Sequence, residues 1–125
     1  MSIPIALEQL RNETRRFALA PYLLTVSDDA RPHAVAVAAA WEGDALVMEV
    51  GKRSASNSGV RPEVSLLWPP NEPGGYSLIV DGTAASTGGD ARITVMPTRA
   101  VLHRPAAAPD ATNPGCSADC VPILR

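Results

Sequence analysis

The sequence predicts a mainly β fold: a six-stranded antiparallel barrel, closed or split, with one helix at the N-terminus and a short helix between the third and fourth strands. Six short apolar segments rich in Val, Ile, Leu and Ala follow one another along the chain. Turns that contain Gly, Pro or Asp separate most of them, which is typical of antiparallel sheets. The 125 residues are enough for one domain. We place a barrel domain at residues 1–105 and a Pro- and Ala-rich tail with two Cys at residues 106–125.

The N-terminal helix is predicted over residues 4–18. Apolar side chains such as Leu7, Leu10 and Phe17 alternate there with charged ones, a spacing that suits one amphipathic helix. A proline at position 4 is acceptable in the first turn, and Pro21 ends the helix at the latest.

The strands are predicted from apolar runs and the turns between them. The first three form a meander with short connections at residues 28–32 and 42–44, and a hairpin turn at residues 87–90 joins the last two. The polar stretch at residues 51–61 predicts the short helix, beginning near Ser54, because Ser and Asn favour helix starts. The predicted strands are residues 22–27, 33–41, 45–50, 64–68, 76–86 and 91–103.

Composition and charge exclude several classes of function. An oligonucleotide-binding barrel has a similar strand count, but it needs exposed aromatics and a basic groove. This chain has two Trp, two Tyr and one Phe, and its net charge is −2, so we expect no nucleic-acid partner. No apolar run approaches the roughly 20 residues that span a bilayer, and the N-terminus lacks a signal-peptide pattern. We therefore expect a cytoplasmic protein without a membrane partner. Nucleophile-turn, phosphate-loop and zinc-protease motifs are absent from the sequence.

Three segments of the chain carry a resemblance to a known family. Leu23-Leu24-Thr25-Val26-Ser27, followed by Arg31-Pro32-His33, is similar to the opening strand pair of the flavin-binding split-barrel family of pyridoxamine 5′-phosphate oxidase. Residues 57–66 resemble the family pattern Asn-Leu-x-x-Asp-Pro-x-Val-x-Leu, and Asp81-Gly82-Thr83-Ala84 resembles x-Gly-x-Ala on its long fifth strand. The likeness covers residues 6–104.

The resemblance implies a split barrel, a homodimer, and a cofactor in the groove between the two chains. That cofactor is FMN or the related deazaflavin coenzyme, which carries a hydride to or from a small-molecule substrate. The implied function is a flavin-dependent oxidoreductase acting on an unknown small molecule. The chain departs from the pattern at Ser54, where the family has a Lys three residues before the matching Asn57. A non-catalytic split-barrel binding protein that has lost this phosphate-binding Lys is the alternative.

The candidate cofactor-binding residues fall into two groups. Two cations, small polar side chains and a helix N-terminus make residues 52–57 the best candidate phosphate site, although a solvated loop with a helix cap has the same composition. By family likeness, the second group borders the ring or the substrate. The plain structural alternatives are an Arg in a turn, a half-buried His and a Trp packed in the core or an interface. No acid stands where it would orient His33 as a base, so no catalytic residue is assigned. The candidates are Lys52, Arg53, Ser54, Ser56 and Asn57 for the phosphate, and Arg31, His33 and Trp68 for the ring.

Cys116 and Cys120 lie close together in the tail. In a reducing cytosol we expect no structural disulfide between them. A zinc site would need His103 and a further ligand, and a redox pair usually has two residues between its cysteines, not three. The plainest interpretation is two tail thiols, and we predict no metal.

Overall fold

The computed structural model describes residues 1–86 and 91–106. This part of the chain is mainly β, as predicted, and contains eight strands and two helices. The predicted count of six strands was therefore wrong. In chain order the elements are β1 (Ser2–Pro4), α1 (Leu7–Thr14), β2 (Tyr22–Val26), β3 (Pro32–Ala36), β4 (Ala39–Glu42), β5 (Ala45–Glu49), α2 (Lys52–Val60), β6 (Glu63–Trp68), β7 (Ser77–Ser86) and β8 (Arg92–His103).

The strands form one antiparallel sheet in the order β3-β2-β6-β7-β8-β5-β4, and β1 pairs with β8. The two long strands, β7 and β8, lie in its middle and pair from Ser77 with His103 to Ser86 with Ile93. β3 and β4 lie at opposite ends of this order although they are consecutive in the chain. Within the described residues these two ends are not paired with each other, so strand pairing does not close the barrel.

The predicted second strand, residues 33–41, is two strands, which corrects the predicted meander. β3 pairs with β2, and β4 pairs with β5, so no single strand lies between the first and third predicted strands. The break falls at Val37, whose backbone N–H donates to the carbonyl oxygen of Pro21 at 3.0 Å and whose side chain is buried. Alanine-rich segments have weak strand preference, so periodicity alone could not locate this corner.

The N-terminal helix is shorter than predicted because the residues before it extend the sheet. Ser2 pairs with His103 and Pro4 with Val101, and the next backbone N–H, of Ile5, donates to the carbonyl of Ala100 at 2.9 Å. Three residues are too few to reveal a strand by alternation. The long β8 supplies the partner that makes this strand form.

The core lies between the inner face of the sheet and helix α1. On most of β6 and β7 buried residues alternate with half-buried or exposed ones, as expected for strands with one face on a core. β7 and β8 shift register between Asp81 and Gly82, and a Cβ on Gly82 would lie 2.7 Å from the carbonyl oxygen of Met96. Only glycine fits there, which gives the Asp-Gly-Thr-Ala segment a packing reason. The largest fully buried apolar side chains are Leu10, Leu23, Leu46, Met48, Leu66, Leu78, Val80 and Val95.

Two predictions fall on residues that the structure does not describe. The hairpin turn at residues 87–90 lies outside the described residues, as do both tail cysteines, Cys116 and Cys120. The division into a domain at 1–105 and a tail at 106–125 stays a prediction. Among the helices that the structure describes, none has the length and hydropathy needed to cross a membrane.

Candidate functional site

Helix α2 begins at Lys52, two residues before the predicted start. Gly51 precedes it in an extended conformation, and in the part of the chain that the structure describes no side chain caps the first turn. No acidic residue lies in that turn either. The N–H groups at the start of a helix have no partner within it, and they carry a partial positive charge. This helix end can therefore accept an anion.

One face of α2 is polar and yet buried. Ser54 is 1% exposed, Ser58 is 4% exposed and Asn57 is 7% exposed. The Asn57 amide donates to the hydroxyl of Thr25 on β2 at 3.0 Å, and Thr25 is itself buried. Small side chains bring the helix close to the sheet, and the Asn57–Thr25 hydrogen bond fixes its position against β2.

A cavity of about 670 Å³ lies between the first turn of α2 and the connection from β2 to β3; we name it the α2 cavity. It brings together six of the eight predicted cofactor-binding residues, which come from two separate segments of the chain. Its lining consists of Ser27, Asp28, Asp29, Arg31, Pro32, His33, Lys52, Arg53, Ser56 and Asn57.

The two remaining predicted residues, Ser54 and Trp68, do not line the α2 cavity. Ser54 lies on the buried face of the helix. Trp68 is 5% exposed and belongs to the apolar core. These placements favour packing roles for both side chains.

The α2 cavity carries charges of both signs. Its cations are Arg31, Lys52 and Arg53, and its acids are Asp28 and Asp29. Arg31 Nε lies 3.3 Å from Asp29 Oδ2. Asp28 instead pairs at 2.8 Å with an arginine that follows the helix. Among residues 1–86 and 91–106, Lys52 and Arg53 take part in no ion pair, so their charges remain available to a ligand.

Asp29 is held as a carboxylate. The Ser27 hydroxyl hydrogen-bonds to it and lowers the pKa of Asp29 below its ordinary value of 3.8. Backbone hydrogen bonding at Arg31 and the charge of Arg53 lower that pKa further, although partial desolvation opposes them. Sequence reasoning had treated this aspartate pair only as a turn. Two consecutive acids just before Arg31, a predicted ring-bordering residue, were the signal that could have found it.

His33 lines the same cavity and contributes a buried polar atom. Its Nδ1 atom is inaccessible to solvent and has no hydrogen-bond partner in the described part of the chain. Leaving a buried polar atom unpaired costs about 1–3 kcal/mol, so such atoms often mark places where a ligand or water binds. A half-buried His in a purely structural role would be expected to hydrogen-bond to the backbone, but in the described residues Nδ1 of His33 makes no such bond.

A second cavity of about 580 Å³ lies on the other side of the first turn of α2 and shares Lys52 and Ser56 with the α2 cavity. Small side chains dominate its lining, including Ala55, Ala84 and Ala85. Walls of small side chains leave room for a flat ring close to the backbone. Residues 1–86 and 91–106 contain no group of three or more His, Cys, Asp or Glu side chains that could hold a metal ion.

Comparison with known proteins places the chain in a family. It is 47% identical over 117 residues to the uncharacterized proteins Mb0449c of Mycobacterium bovis and MT0457 of Mycobacterium tuberculosis. The alignment covers 80% of this chain and 82% of each relative. The chain belongs to the family of these mycobacterial proteins. No family model matches the sequence.

Solved structures identify the fold as the pyridoxamine 5′-phosphate oxidase-like split barrel. A candidate pyridoxamine 5′-phosphate oxidase from Listeria innocua superposes with a TM-score of 0.61 at 18% identity, over 77% of this chain and 96% of that one. The heme storage protein HutZ from Vibrio cholerae gives 0.62 at 16% identity, over 78% and 94%. An F420 reductase gives 0.53 at 20% identity, over 66% and 88%. The resemblance predicted from the sequence is confirmed at the level of the fold.

The residues of this split barrel fit a flavin phosphate. Lys52 and Arg53 supply unpaired cations, Ser56 supplies a hydroxyl, and the uncapped helix supplies backbone donors. The cavity volume falls in the usual range for ligand sites, about 300–1,000 Å³. Ser54, which replaces the family Lys, is buried, whereas the two preceding cations line the cavity. This chain therefore offers its positive charge one and two positions earlier than the family pattern does.

Proposed function

We propose that this split-barrel protein is a flavin-dependent oxidoreductase that binds FMN at the α2 cavity and acts on a small organic molecule. The observation that supports it best is the convergence on one cavity of two cations without an ion pair in the described residues, an uncapped helix start and the His33 side chain. Proteins of similar fold include a candidate pyridoxamine 5′-phosphate oxidase and an F420 reductase. The deazaflavin coenzyme is the alternative cofactor.

Five residues of the α2 cavity have a proposed part in holding the cofactor or substrate. Lys52 and Arg53 bind the phosphate oxygens, and the Ser56 hydroxyl donates a further hydrogen bond. Arg31 and His33 border the ring or the substrate. A bound flavin supplies a ring that accepts or donates a hydride, so the protein contributes position and electrostatics.

We also propose that the protein works as a homodimer through the outer face of the sheet. Tyr22 and Val26 on β2 are 42% and 37% exposed, and Leu24 lies between them on the same face. Across the sheet, Tyr22 pairs with Leu67 and Leu67 with Ile79, both partly exposed. This apolar row is long enough to pack against its own copy around a two-fold axis. Light scattering should give twice the chain mass, and a monomeric mass would overturn this part of the proposal.

The first experiment is a titration of the purified protein with FMN, followed by visible absorbance and quenching of flavin fluorescence. Saturable binding is expected, and Arg53→Ala should weaken it by about tenfold, the loss expected for one charge-assisted contact worth about 1.4 kcal/mol. The matched control is Arg15→Ala, because Arg15 is an exposed arginine at the end of helix α1 and does not line the cavity. No binding of FMN or the deazaflavin coenzyme would overturn the proposal.

The rival function is that of a non-catalytic binding protein. It is favoured by the burial of Ser54 where the family carries its phosphate-binding Lys, and the heme storage protein HutZ shares the fold. Titration with hemin tests the rival, since bound heme shifts and sharpens the Soret band. If flavin binds, its reduction by NADH or NADPH and reoxidation by an acceptor distinguish an enzyme from a carrier.

A further inference from the structure

Asp29 sits at the wall of the α2 cavity and faces its cations. Its Oδ2 atom lies 3.3 Å from Arg31 Nε, and both residues line the cavity. Arg53, on the opposite wall, is near enough for its charge to stabilise the Asp29 carboxylate. An anion that enters the cavity therefore meets a carboxylate already in contact with one of the arginines.

The turn from β2 to β3 holds this carboxylate in position. The backbone N–H of Ser27 donates to the carbonyl of Arg31 at 3.0 Å, and that of Ala30 donates to the carbonyl of Ser27 at 2.9 Å. Ala30 adopts the left-handed conformation that closes the turn, with φ of 65°. The Ser27 hydroxyl bonds directly to the Asp29 carboxylate. Asp29 is thus a built part of the cavity although its side chain is 64% exposed.

We infer that Asp29 is a tethered counter-anion: it occupies Arg31 when the cavity is free and opposes every incoming phosphate, so it limits the affinity of the site for anions. Only the identity of the natural ligand rests on the proposed function. A phosphate that binds Lys52 and Arg53 must tolerate the nearby negative charge of Asp29, and one that also contacts Arg31 must draw Arg31 away from Asp29. The site then discriminates against ligands that carry more charge than a single phosphate group.

Asp28 provides the matched comparison, since it is an acid of the same turn and the same charge. Its Oδ1 atom pairs with Arg61 Nη1 at 2.8 Å, and Arg61 does not line the cavity. Removing the Asp28 charge therefore leaves the Asp29–Arg31 contact in place. A general charge effect would be equal for both acids, whereas a tethered counter-anion acts through Asp29 alone.

The experiment titrates inorganic phosphate into the full ¹⁵N-labelled chain and follows backbone amide shifts in the wild type, Asp29→Asn and Asp28→Asn. The amide of Asn can still accept the Ser27 hydrogen bond, so the turn should persist. We expect Asp29→Asn to bind phosphate about fivefold more tightly, because solvent weakens but does not abolish repulsion at this separation. Asp28→Asn should change the affinity by less than about twofold.

Several outcomes would overturn the inference. Unchanged or weaker phosphate binding by Asp29→Asn would do so, as would equal gains in both variants or shifted amides outside the α2 cavity. FMN titration separates this result from the proposed function. If Asp29→Asn gains phosphate affinity while no variant binds flavin, the proposed function fails and the inference stands. If the wild type binds flavin and Asp29→Asn gains nothing for phosphate, the inference alone fails.

Discussion

The two helices of this protein attach to the barrel in opposite ways. Helix α1 buries an apolar anchor, Leu10, which is 1% exposed, and carries charged residues elsewhere. Helix α2 buries Ser54, Asn57 and Ser58 and turns its cations, Lys52 and Arg53, toward a cavity. Helix α1 closes the core through Leu10, and helix α2 carries the candidate site.

The difference matters because the two kinds of contact constrain position differently. Apolar burial is not directional, so Leu10 stabilises the fold over a range of helix orientations. The Asn57–Thr25 hydrogen bond depends on distance and angle, so it fixes where α2 lies on β2. β2 also leads into the turn that forms the other wall of the α2 cavity. Polar attachment therefore aligns the two walls, which apolar packing alone would leave less defined.

The largest expected effect is a loss of stability and comes from the buried leucine of helix α1. Leu10→Ala should lower the free energy of unfolding by about 3 kcal/mol, because a buried leucine loses its transfer energy and leaves a cavity. Urea denaturation followed by tryptophan fluorescence measures the loss. Flavin affinity, measured below the unfolding transition, should stay within about twofold. A parallel loss of affinity would mean that α1 and α2 do not act independently.

A smaller loss of stability is expected from a change in helix α2, together with weaker flavin binding. Asn57→Ala leaves the buried Thr25 hydroxyl without its partner, which should cost about 1–3 kcal/mol. It should also weaken flavin binding, because α2 loses its alignment. Thr25→Val in the same chain removes the orphaned hydroxyl and should recover part of the stability but none of the affinity. Recovery of both would show that Asn57 acts only through packing.

Features of the molecule that leave a clear sequence signal were predicted, and features without such a signal were missed. The long strands β7 and β8 were found because two apolar runs flank a Gly-rich turn signal. The corner at Val37 was missed because the alanines around it favour neither face. Six of the eight proposed site residues converge on one cavity. The burial of Ser54 was not predictable, because a helix without an apolar stripe does not reveal its inner face.

The smallest stability effect is expected at the cations of α2. Changing Lys52 and Arg53 together to alanine should alter the free energy of unfolding by less than about 0.5 kcal/mol, since within the described residues neither is in an ion pair. The same double variant should lose more flavin affinity than Arg53→Ala alone does. Thermal melting and FMN titration on one preparation test both expectations. A marked loss of stability would mean that these cations hold the fold as well as the ligand.

The last prediction concerns Asp29, the acid that faces those cations, and its measured quantity is a pKa. The Ser27 hydroxyl lowers the pKa of Asp29, so the folded chain binds that proton less readily than the unfolded chain does. The resulting stabilisation is present above the ordinary value of 3.8 and is lost as the pH falls through the lowered pKa. Ser27→Ala should raise the pKa toward 3.8, as measured by carboxyl NMR shifts from pH 2 to 6. Ser77→Ala, in a strand that contributes nothing to the α2 cavity, should leave the titration unchanged. If Ser27→Ala also leaves it unchanged, the charge of Arg53 rather than the turn sets the state of Asp29, and the two walls of the cavity are coupled more directly than their hydrogen bonds indicate.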